Sequence, residues 1–457
     1  MRLARTAPDR LSTLGLTAAT FFIVSGGPYG LEEIVLGYGY AGAVALLALV
    51  PLVWSLPVAL MVGELGSALP ATGGYYVWVR RALGPFWGLQ EAWHSLAVGI
   101  VDIAIYPTLL VAYLGKLWPG LEGEAVGRPG WWIAVAAIAA CAGWNALGIR
   151  SVGRGSTALG VALLAPFAAI VVLSVRALPH GGLTTARAAF TSAPPAERDA
   201  LVAGLMLAMW NLMGFDNAST FAGEVRDPAR SYPRAMALTV VAIAATYVAT
   251  VLAASVTGLS PAAWTFGSWV EVGRSLGGAA LATAVIAGGA ISAIGMYNAL
   301  LLSWSRLPVA LAQDGWLPSA FALRSARTHA PVRAVLLGGV LSALCGGLGL
   351  RRLVEIDVLL YGGGLVLELV ALVVLRVREP ALARPFRIPG GLGACGAVAL
   401  LPAALLGFAA WQGRAEPGAL GLSAAGLTAL VAAVGPLWWI VMNGPRHRAT
   451  TRERPLA

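Results

Sequence analysis

The sequence SGGPYGLEE, at residues 25–33, lies in the middle of a long apolar run near the start of the chain. Three glycines and a proline within six residues do not sustain a helix. A second interruption, WNLMGFDN at residues 210–217, lies in another apolar run and rests on one glycine flanked by polar residues. If both runs cross a membrane, irregular backbone there is tolerated only where it lines a cavity or is packed by protein. The alternative is that these glycines only allow helices to pack closely.

The composition places these runs in a bilayer. The chain has 457 residues, of which 58% are hydrophobic and 11% charged, with a mean hydropathy of +0.78. Soluble proteins carry about 25% charged residues, so a soluble enzyme is excluded. The net charge of +10 comes almost entirely from arginines that separate the apolar runs, which does not indicate nucleic-acid binding. The three cysteines share no metal-ligand spacing, and we expect neither a metal nor another cofactor.

The apolar runs are continuous, which favours membrane-spanning helices over a barrel. Twelve runs lie near residues 14–34, 41–63, 86–114, 131–147, 156–178, 201–222, 235–256, 276–302, 334–348, 356–375, 392–410 and 419–442. Alternating connecting segments place 22 of the 31 Lys and Arg residues on one side, which predicts that both termini are cytoplasmic. The sequence thus predicts an all-α polytopic protein with twelve transmembrane helices in the plasma (inner) membrane.

The two interruptions fall in spans one and six, which are equivalent if spans one to five and six to ten form two inverted repeats. Interrupted helices at matching positions of two halves indicate a transporter's binding site. The predicted organisation is a cytoplasmic tail at 1–11, a first five-helix repeat at 12–178, a second inverted repeat at 200–377, two C-terminal helices at 390–442 and a cytoplasmic tail at 443–457.

The interruptions predict a particular chemistry. The backbone amides of Ser25, Gly26 and Gly27 would donate to an anion such as a carboxylate. Freed carbonyls around Phe215 and Asp216 could accept hydrogen bonds from an ammonium group. One site could therefore bind both ends of an amino acid.

Carboxylates inside apolar runs are costly, by about 2.5–3.5 kcal/mol each at the bilayer centre, and are functional candidates by default. No Lys or Arg lies at comparable depth in the sequence, which favours a cationic substrate or protons. Alternatively, some of these groups are protonated and only help packing. The candidates are Glu32, Glu33, Asp102 with Tyr106 one turn later, Asp216 and Glu368, of which Glu33, Asp102, Asp216 and Glu368 are candidates for proton coupling.

Several motifs resemble a known family. They are SGGPYGLEE at 25–33, ELGSALPATGGYYVWVRRALGPFWG at 64–88, DIAIYP at 102–107, ALGVALLAPF at 158–167, MWNLMGFDNASTFAGEVRDPARSYPRA at 209–235 and RPFRIPG at 384–390. Over about residues 12 to 440 the chain resembles the amino acid–polyamine–organocation superfamily. Within it, the chain is most similar to the polyamine-uptake and L-type amino acid transporter branch.

The resemblance implies a leucine-transporter-like fold, with a five-plus-five inverted repeat, discontinuous helices 1 and 6, and two further C-terminal helices. It implies a substrate held among spans one, three, six, eight and ten. Some bacterial relatives carry a span-five lysine in place of a sodium ion, whereas the comparable position here, near Leu163, is apolar. The implied contacts are Ser25, Gly26 and Gly27 for a carboxylate, Trp210 as an aromatic gate, Asp102 and Asp216 as acidic contacts, and Tyr297 and Asn298 in span eight.

The resulting hypothesis is a secondary active transporter that moves amino acids or polyamines by alternating access. A cationic substrate and proton coupling are favoured, and the alternative is a neutral amino acid permease or exchanger. A membrane-embedded enzyme is not expected, because the spans show no His-rich metal set, paired-aspartate protease motif or Ser/Lys dyad. A sensor that binds ligand without moving it is a further alternative. The expected partners are a small amino acid or polyamine, protons and the lipid bilayer, with no nucleic acid.

Overall fold

The structure, a computed structural model, describes residues 12–70, 74–121, 127–147, 149–192, 198–413 and 422–442. The predicted tails at 1–11 and 443–457 lie outside the described residues. Within the described residues the chain is all-helical apart from connecting segments. The α-helices are α1 (Thr13–Val24), α2 (Glu32–Val50), α3 (Leu56–Ala68), α4 (Gly74–Leu83), α5 (Pro85–Gly115), α6 (Pro129–Ala146), α7 (Ile149–Ala177), α8 (Gly182–Thr191), α9 (Arg198–Trp210), α10 (Pro228–Ser255), α11 (Trp269–Trp304), α12 (Arg306–Gln313), α13 (Val332–Cys345), α14 (Leu350–Arg378), α15 (Gly391–Gly413) and α16 (Ala424–Met442).

Eight helices in the described part of the chain are long and apolar enough to cross a membrane. Two shorter apolar helices, Thr13–Val24 and Val332–Leu348, accompany them. The prediction of an all-α polytopic protein is therefore confirmed at this level. The eight helices are Glu32–Ala68, Pro85–Gly115, Ala162–His180, Pro228–Ser255, Trp269–Gln313, Leu350–Arg378, Gly391–Gln412 and Ala424–Met442.

The stretch Glu32–Ala68 is longer than one span, and it is kinked at Gly39 and contains a π-turn that begins at Pro51. Gly39 has φ 64° and ψ 179°, a conformation that only glycine adopts readily. Pro51 lacks an N–H, and Pro51–Ser55 forms one turn of π-helix between α2 and α3. Gly39 falls between the first two predicted apolar runs, so its non-helical backbone separates the end of the first run from the second.

The chain divides into two compact units. Unit one consists of the described residues of Met1–Ala82, Leu163–Val285 and Val366–Ala409. In it, α10 packs against α1, α2 and α3, and α2 packs against α9. Gly37 permits the close contact of α2 with α9, because a Cβ there would lie 2.4 Å from the Ala200 carbonyl oxygen.

Unit two consists of the described residues of Leu83–Ala162, Ile286–Leu365 and Ala410–Ala457. In it, α5 packs against α6, α13 and α16. Two indole N–H groups in this unit donate to main-chain carbonyls of another helix, one from α11 to α5 and one from α5 to α16. Trp304 Nε1 donates to Leu96 O at 2.9 Å, and Trp93 Nε1 donates to Val431 O at 2.7 Å.

Candidate functional site

The first interruption predicted from sequence is present. Helix α1 ends at Val24 and α2 begins at Glu32. Between them Gly27 and Gly30 have φ of 84° and 92°, in the left-handed region that side chains disfavour. The Ser25 amide still bonds to Phe21 O at 2.7 Å, and the Gly27 amide donates to Ser25 Oγ at 3.2 Å. Two of the three amides predicted to bind an anion are therefore bonded within the chain.

The second interruption is also present. Helix α9 ends at Trp210, Gly214 has φ 94°, and the chain continues as a 3₁₀-helix over Phe215–Glu224. Side chains from an earlier part of the chain donate to main-chain carbonyls around the end of α9. Trp54 Nε1 donates to Met209 O at 3.1 Å, and Ser55 Oγ donates to Leu212 O at 2.8 Å. The backbone of the second break is therefore bonded to the π-turn Pro51–Ser55, between α2 and α3.

One side chain joins the two breaks. The Tyr247 hydroxyl, on α10, donates to Ser25 Oγ at 2.8 Å and also lies 3.2 Å from Asn211 O. Asn211 Nδ2 in turn lies 3.4 Å from Gly30 O. The Trp210 ring lies against Gly30, because a Cβ on that glycine would be 3.0 Å from Trp210 Cζ3. The two broken segments therefore form one buried centre in unit one.

Glu32 is fully buried beside this centre. Its Oε2 accepts the Gly30 amide at 2.8 Å, and its Oε1 accepts the Gly267 amide at 3.1 Å. Gly267 belongs to the segment that leads into α11. The Glu32 carboxylate therefore connects the first break to a segment more than 200 residues later in the chain.

Aromatic rings cover the same side of the first break. The Tyr29 hydroxyl donates to Val285 O at 2.9 Å, and its ring lies edge-on to Phe167 at 4.8 Å between centroids. Phe167 contacts Trp269 in the same way at 5.4 Å. Leu163 lies directly against Gly27, since a Cβ there would be 2.6 Å from Leu163 Cδ1. The position compared with a lysine in some relatives is therefore next to the break and apolar.

The other predicted site residues fall in both units. In unit one, Phe215, Asp216 and Glu368 are buried, whereas Gly26 and Glu33 are half-buried. Unit two holds a half-buried Asp102, and Tyr106 is buried one turn later on α5.

Tyr297 and Asn298 make hydrogen bonds between helices of unit two. The hydroxyls of Tyr297 and Ser342 lie 2.9 Å apart, and Asn145 Nδ2 donates to Asn298 Oδ1 at 2.5 Å. Both side chains are buried, and these bonds connect α11 to α13 and α6. The predicted contact of these two residues with the substrate stays a prediction.

A buried ion cluster in unit one was not predicted. Glu64, at the end of α3, receives Arg376 in two parallel bonds of 2.6 and 2.5 Å. Glu64 Oε1 also lies 3.2 Å from Arg384 Nε, and Glu64 Oε2 accepts the Ile388 amide at 2.9 Å. The side chains of Glu64 and Arg376 are 0% and 2% exposed. This cluster connects the RPFRIPG segment, residues 384–390, to the end of α3.

Opposite charges at the ends of two apolar runs are the signal that could have indicated this pair. By contrast, Tyr247, Trp54 and Ser55 carry no such signal. Their partners lie 36 to 222 residues away along the chain, and no local pattern marks them.

Two continuous helices would present no such centre, whereas two broken helices joined in one unit are the arrangement expected of a transporter. The amino acid permease family matches residues 15–442. The chain belongs to this family, and it is a multi-pass membrane transporter rather than an enzyme. The resemblance to the amino acid–polyamine–organocation superfamily is thereby confirmed.

Relatives with curated names are similar over most of the chain. Polyamine transporter PUT1 of Oryza sativa subsp. japonica is 36% identical over 399 residues, which cover 87% of this chain and 72% of that protein. Polyamine transporter RMV1 of Arabidopsis thaliana is 34% identical over 405 residues, which cover 87% and 79%.

A solved structure is similar in fold. The crystal structure of MhsT in complex with L-phenylalanine has a TM-score of 0.64 and 16% sequence identity, covering 89% of this chain and 100% of that one. At this identity the likeness shows the fold alone, and it supports the leucine-transporter-like fold class.

Proposed function

We propose that this chain is a secondary active transporter of small organic cations, either polyamines or basic amino acids, that works by alternating access. The single observation that carries the proposal is the buried centre of unit one, where two broken helices meet beside carboxylates. The names of the relatives, polyamine transporters, support the same substrate class.

The charge of the proposed site favours a cation. Asp216 is 5% exposed and Glu33 is half-buried, and the predicted substrate-binding set contains no Lys or Arg. An ammonium group would lower the cost of holding such carboxylates ionised in a membrane. In unit one, the proposal assigns substrate contact to Ser25, Gly26, Gly27, Glu33, Trp210, Phe215 and Asp216. Asp102, Tyr106, Tyr297 and Asn298, which lie in unit two, stay predictions from the sequence.

We also propose twelve membrane spans, two inverted repeats and cytoplasmic termini. Each of the twelve predicted apolar runs overlaps at least one α-helix of the described chain, which supports twelve spans. The repeats would occupy residues 12–178 and 200–377, since the two breaks lie at matching positions in them. The excess of basic residues on one side supports cytoplasmic termini and the inner membrane.

Proton coupling is proposed because buried carboxylates can exchange protons. Glu368 is 2% exposed within α14, and Asp102, Asp216 and Glu33 are the other candidates. Burial disfavours the charged form of a carboxyl group, so a proton can be taken up when the substrate cation leaves.

Competition measurements test the substrate class. Uptake of labelled putrescine, arginine and leucine is measured in proteoliposomes that contain the purified protein. We expect uptake of putrescine and of arginine, each inhibited by an excess of the other, and no uptake of leucine. Leucine uptake that is unaffected by excess putrescine and arginine would overturn the cationic substrate and favour the neutral amino acid alternative.

Asp102→Asn tests direct contact with the substrate. We expect it to lower cation uptake at least about tenfold, because it removes one charge that would pair with an ammonium group. The matched control is Asp314→Asn, since Asp314 is exposed after α12 and should tolerate the same change. Equal cation uptake by the two variants would show that Asp102 has a structural role and does not contact the substrate.

A further inference from the structure

In the first break, backbone amides already donate hydrogen bonds to acceptors within this chain. The Ser25 amide bonds to Phe21 O, and the Gly27 amide bonds to Ser25 Oγ. Pro28 has no amide hydrogen to give. The Gly30 amide donates to Glu32 Oε2 at 2.8 Å. A substrate carboxylate would have to displace these partners in order to use the amides.

Glu32 makes the contacts that a bound carboxylate would make. Each of its two oxygens accepts one main-chain amide, from Gly30 at 2.8 Å and from Gly267 at 3.1 Å. The side chain is 0% exposed, so water does not compete for these bonds. Hydrogen bonds to an ionised acceptor are about twice as strong as neutral ones, which makes this arrangement costly to displace.

We propose that Glu32 is a resident carboxylate that determines specificity, because it accepts the Gly30 amide of the first break and the Gly267 amide in the way that a substrate carboxylate would, and so disfavours substrates that carry an α-carboxylate. The inference rests on the proposed function and narrows it, from cations in general to amines without a carboxylate. A substrate carboxylate would find the amides occupied and a negative charge beside them. Both effects raise the free energy of its binding.

Matched pairs of ligands isolate this effect, since ornithine, lysine and arginine differ from putrescine, cadaverine and agmatine only by the α-carboxylate. Dissociation constants are measured on the purified full-length protein for all six compounds. We expect the wild type to bind each decarboxylated compound at least about tenfold more tightly than its partner. Equal affinity for ornithine and putrescine would overturn the proposal.

Substitution at Glu32 tests the residue itself. Glu32→Ala should lower the putrescine-to-ornithine preference at least about tenfold, and added acetate should restore part of it by occupying the vacated amides. Glu33→Ala is the matched control, because it should weaken both members of each pair equally and leave the preference unchanged. If Glu32→Ala does not fold, Glu32→Gln, which keeps one acceptor oxygen, should still reduce the preference.

The outcomes separate this inference from the proposed function. If a folded Glu32 variant keeps the putrescine-to-ornithine preference of the wild type, the proposal is overturned, and Glu32 only stabilises the segment around Gly267. Leucine binding more tightly than all six compounds would contradict the proposed cationic substrate itself. Tight binding of ornithine and putrescine alike would leave the cationic substrate in place and contradict only the role of Glu32.

Discussion

Tyr247 is the residue on which the joined breaks depend most. Its hydroxyl reaches both Ser25 Oγ and the Asn211 carbonyl, so its loss removes a buried hydrogen bond that connects the two breaks. Tyr247→Phe should lower the free energy of unfolding by about 1–3 kcal/mol and raise the KM for putrescine. Thermal unfolding in detergent and uptake kinetics measure the two effects.

Tyr38 provides the control for this substitution. Its hydroxyl donates to Leu201 O at 2.8 Å, a bond that joins α2 to α9 and does not involve Ser25 or Asn211. Tyr38→Phe should cost comparable stability without changing the KM. If both variants leave the KM unchanged, Tyr247 does not position the substrate site.

Gly27 tests the need for left-handed backbone at the first break. Gly27→Ala would place a methyl group at φ 84° and 2.6 Å from Leu163 Cδ1, so both strain and overlap oppose it. We expect a loss of stability of about 1–3 kcal/mol and of most transport. Gly143→Ala is the control, because nothing lies within 4 Å of a Cβ there. A stable, active Gly27→Ala protein would contradict the described backbone.

At this scale the sequence showed where the backbone breaks but not what holds it. Glycine and proline act locally, so SGGPYG predicted the first interruption from composition alone. The bonds of Tyr247, Trp54 and Ser55 depend on tertiary packing, and residue type does not reveal them. The sequence likewise identified Glu32 as a costly charge without its two amide partners.

Among the helices, α3 and α14 depend on the ion pair between Glu64 and Arg376. Removal of one partner of a buried pair leaves the other charge uncompensated. Glu64→Gln should therefore lower the free energy of unfolding by about 3–5 kcal/mol. Glu271→Gln is the control, because Glu271 lies 3.7 Å from Arg274 at the surface and should change stability little. Equal, small effects in thermal unfolding would show that the cluster is not structural.

The end of α14 is also connected to α4 by an exposed ion pair with a predictable dependence on pH. Arg81 donates to both oxygens of Glu379, at 2.9 and 2.6 Å, and these bonds hold the pKa of Glu379 below its ordinary value. A lowered carboxyl pKa adds stability above the pKa of the unfolded state, about 4.3. That stability is lost as the pH falls through the lower, folded-state pKa.

The melting temperature of wild type should therefore exceed that of Glu379→Gln at pH 7. The difference should shrink below about pH 4 and should also decrease with added salt. A difference that grows on acidification would contradict the assigned ion pair.

Helix boundaries were less predictable than helix existence. Apolar runs located the helices, because burial in lipid requires about 20 apolar residues for each span. They did not show that α2 continues through Pro51 into α3, since a π-turn keeps the chain helical where proline usually stops it. The span-six break also continues as a 3₁₀-helix, Phe215–Glu224, rather than as an α-helix.

For the whole molecule, composition alone excluded a soluble enzyme, and family membership confirmed a transporter. The division into two compact units was not apparent from the sequence, because each unit combines segments from both predicted repeats. The predicted site residues are distributed over both units for the same reason. Long-range packing, which no local pattern encodes, decides which segments belong together.

The most direct test of the account is accumulation of labelled putrescine in proteoliposomes that contain only this protein. With an acidic exterior and a neutral interior, we predict accumulation above the external concentration. Without the pH gradient, we predict only equilibration. Accumulation of leucine in place of putrescine under the same gradient would contradict the claim that two joined helix breaks hold a small cation.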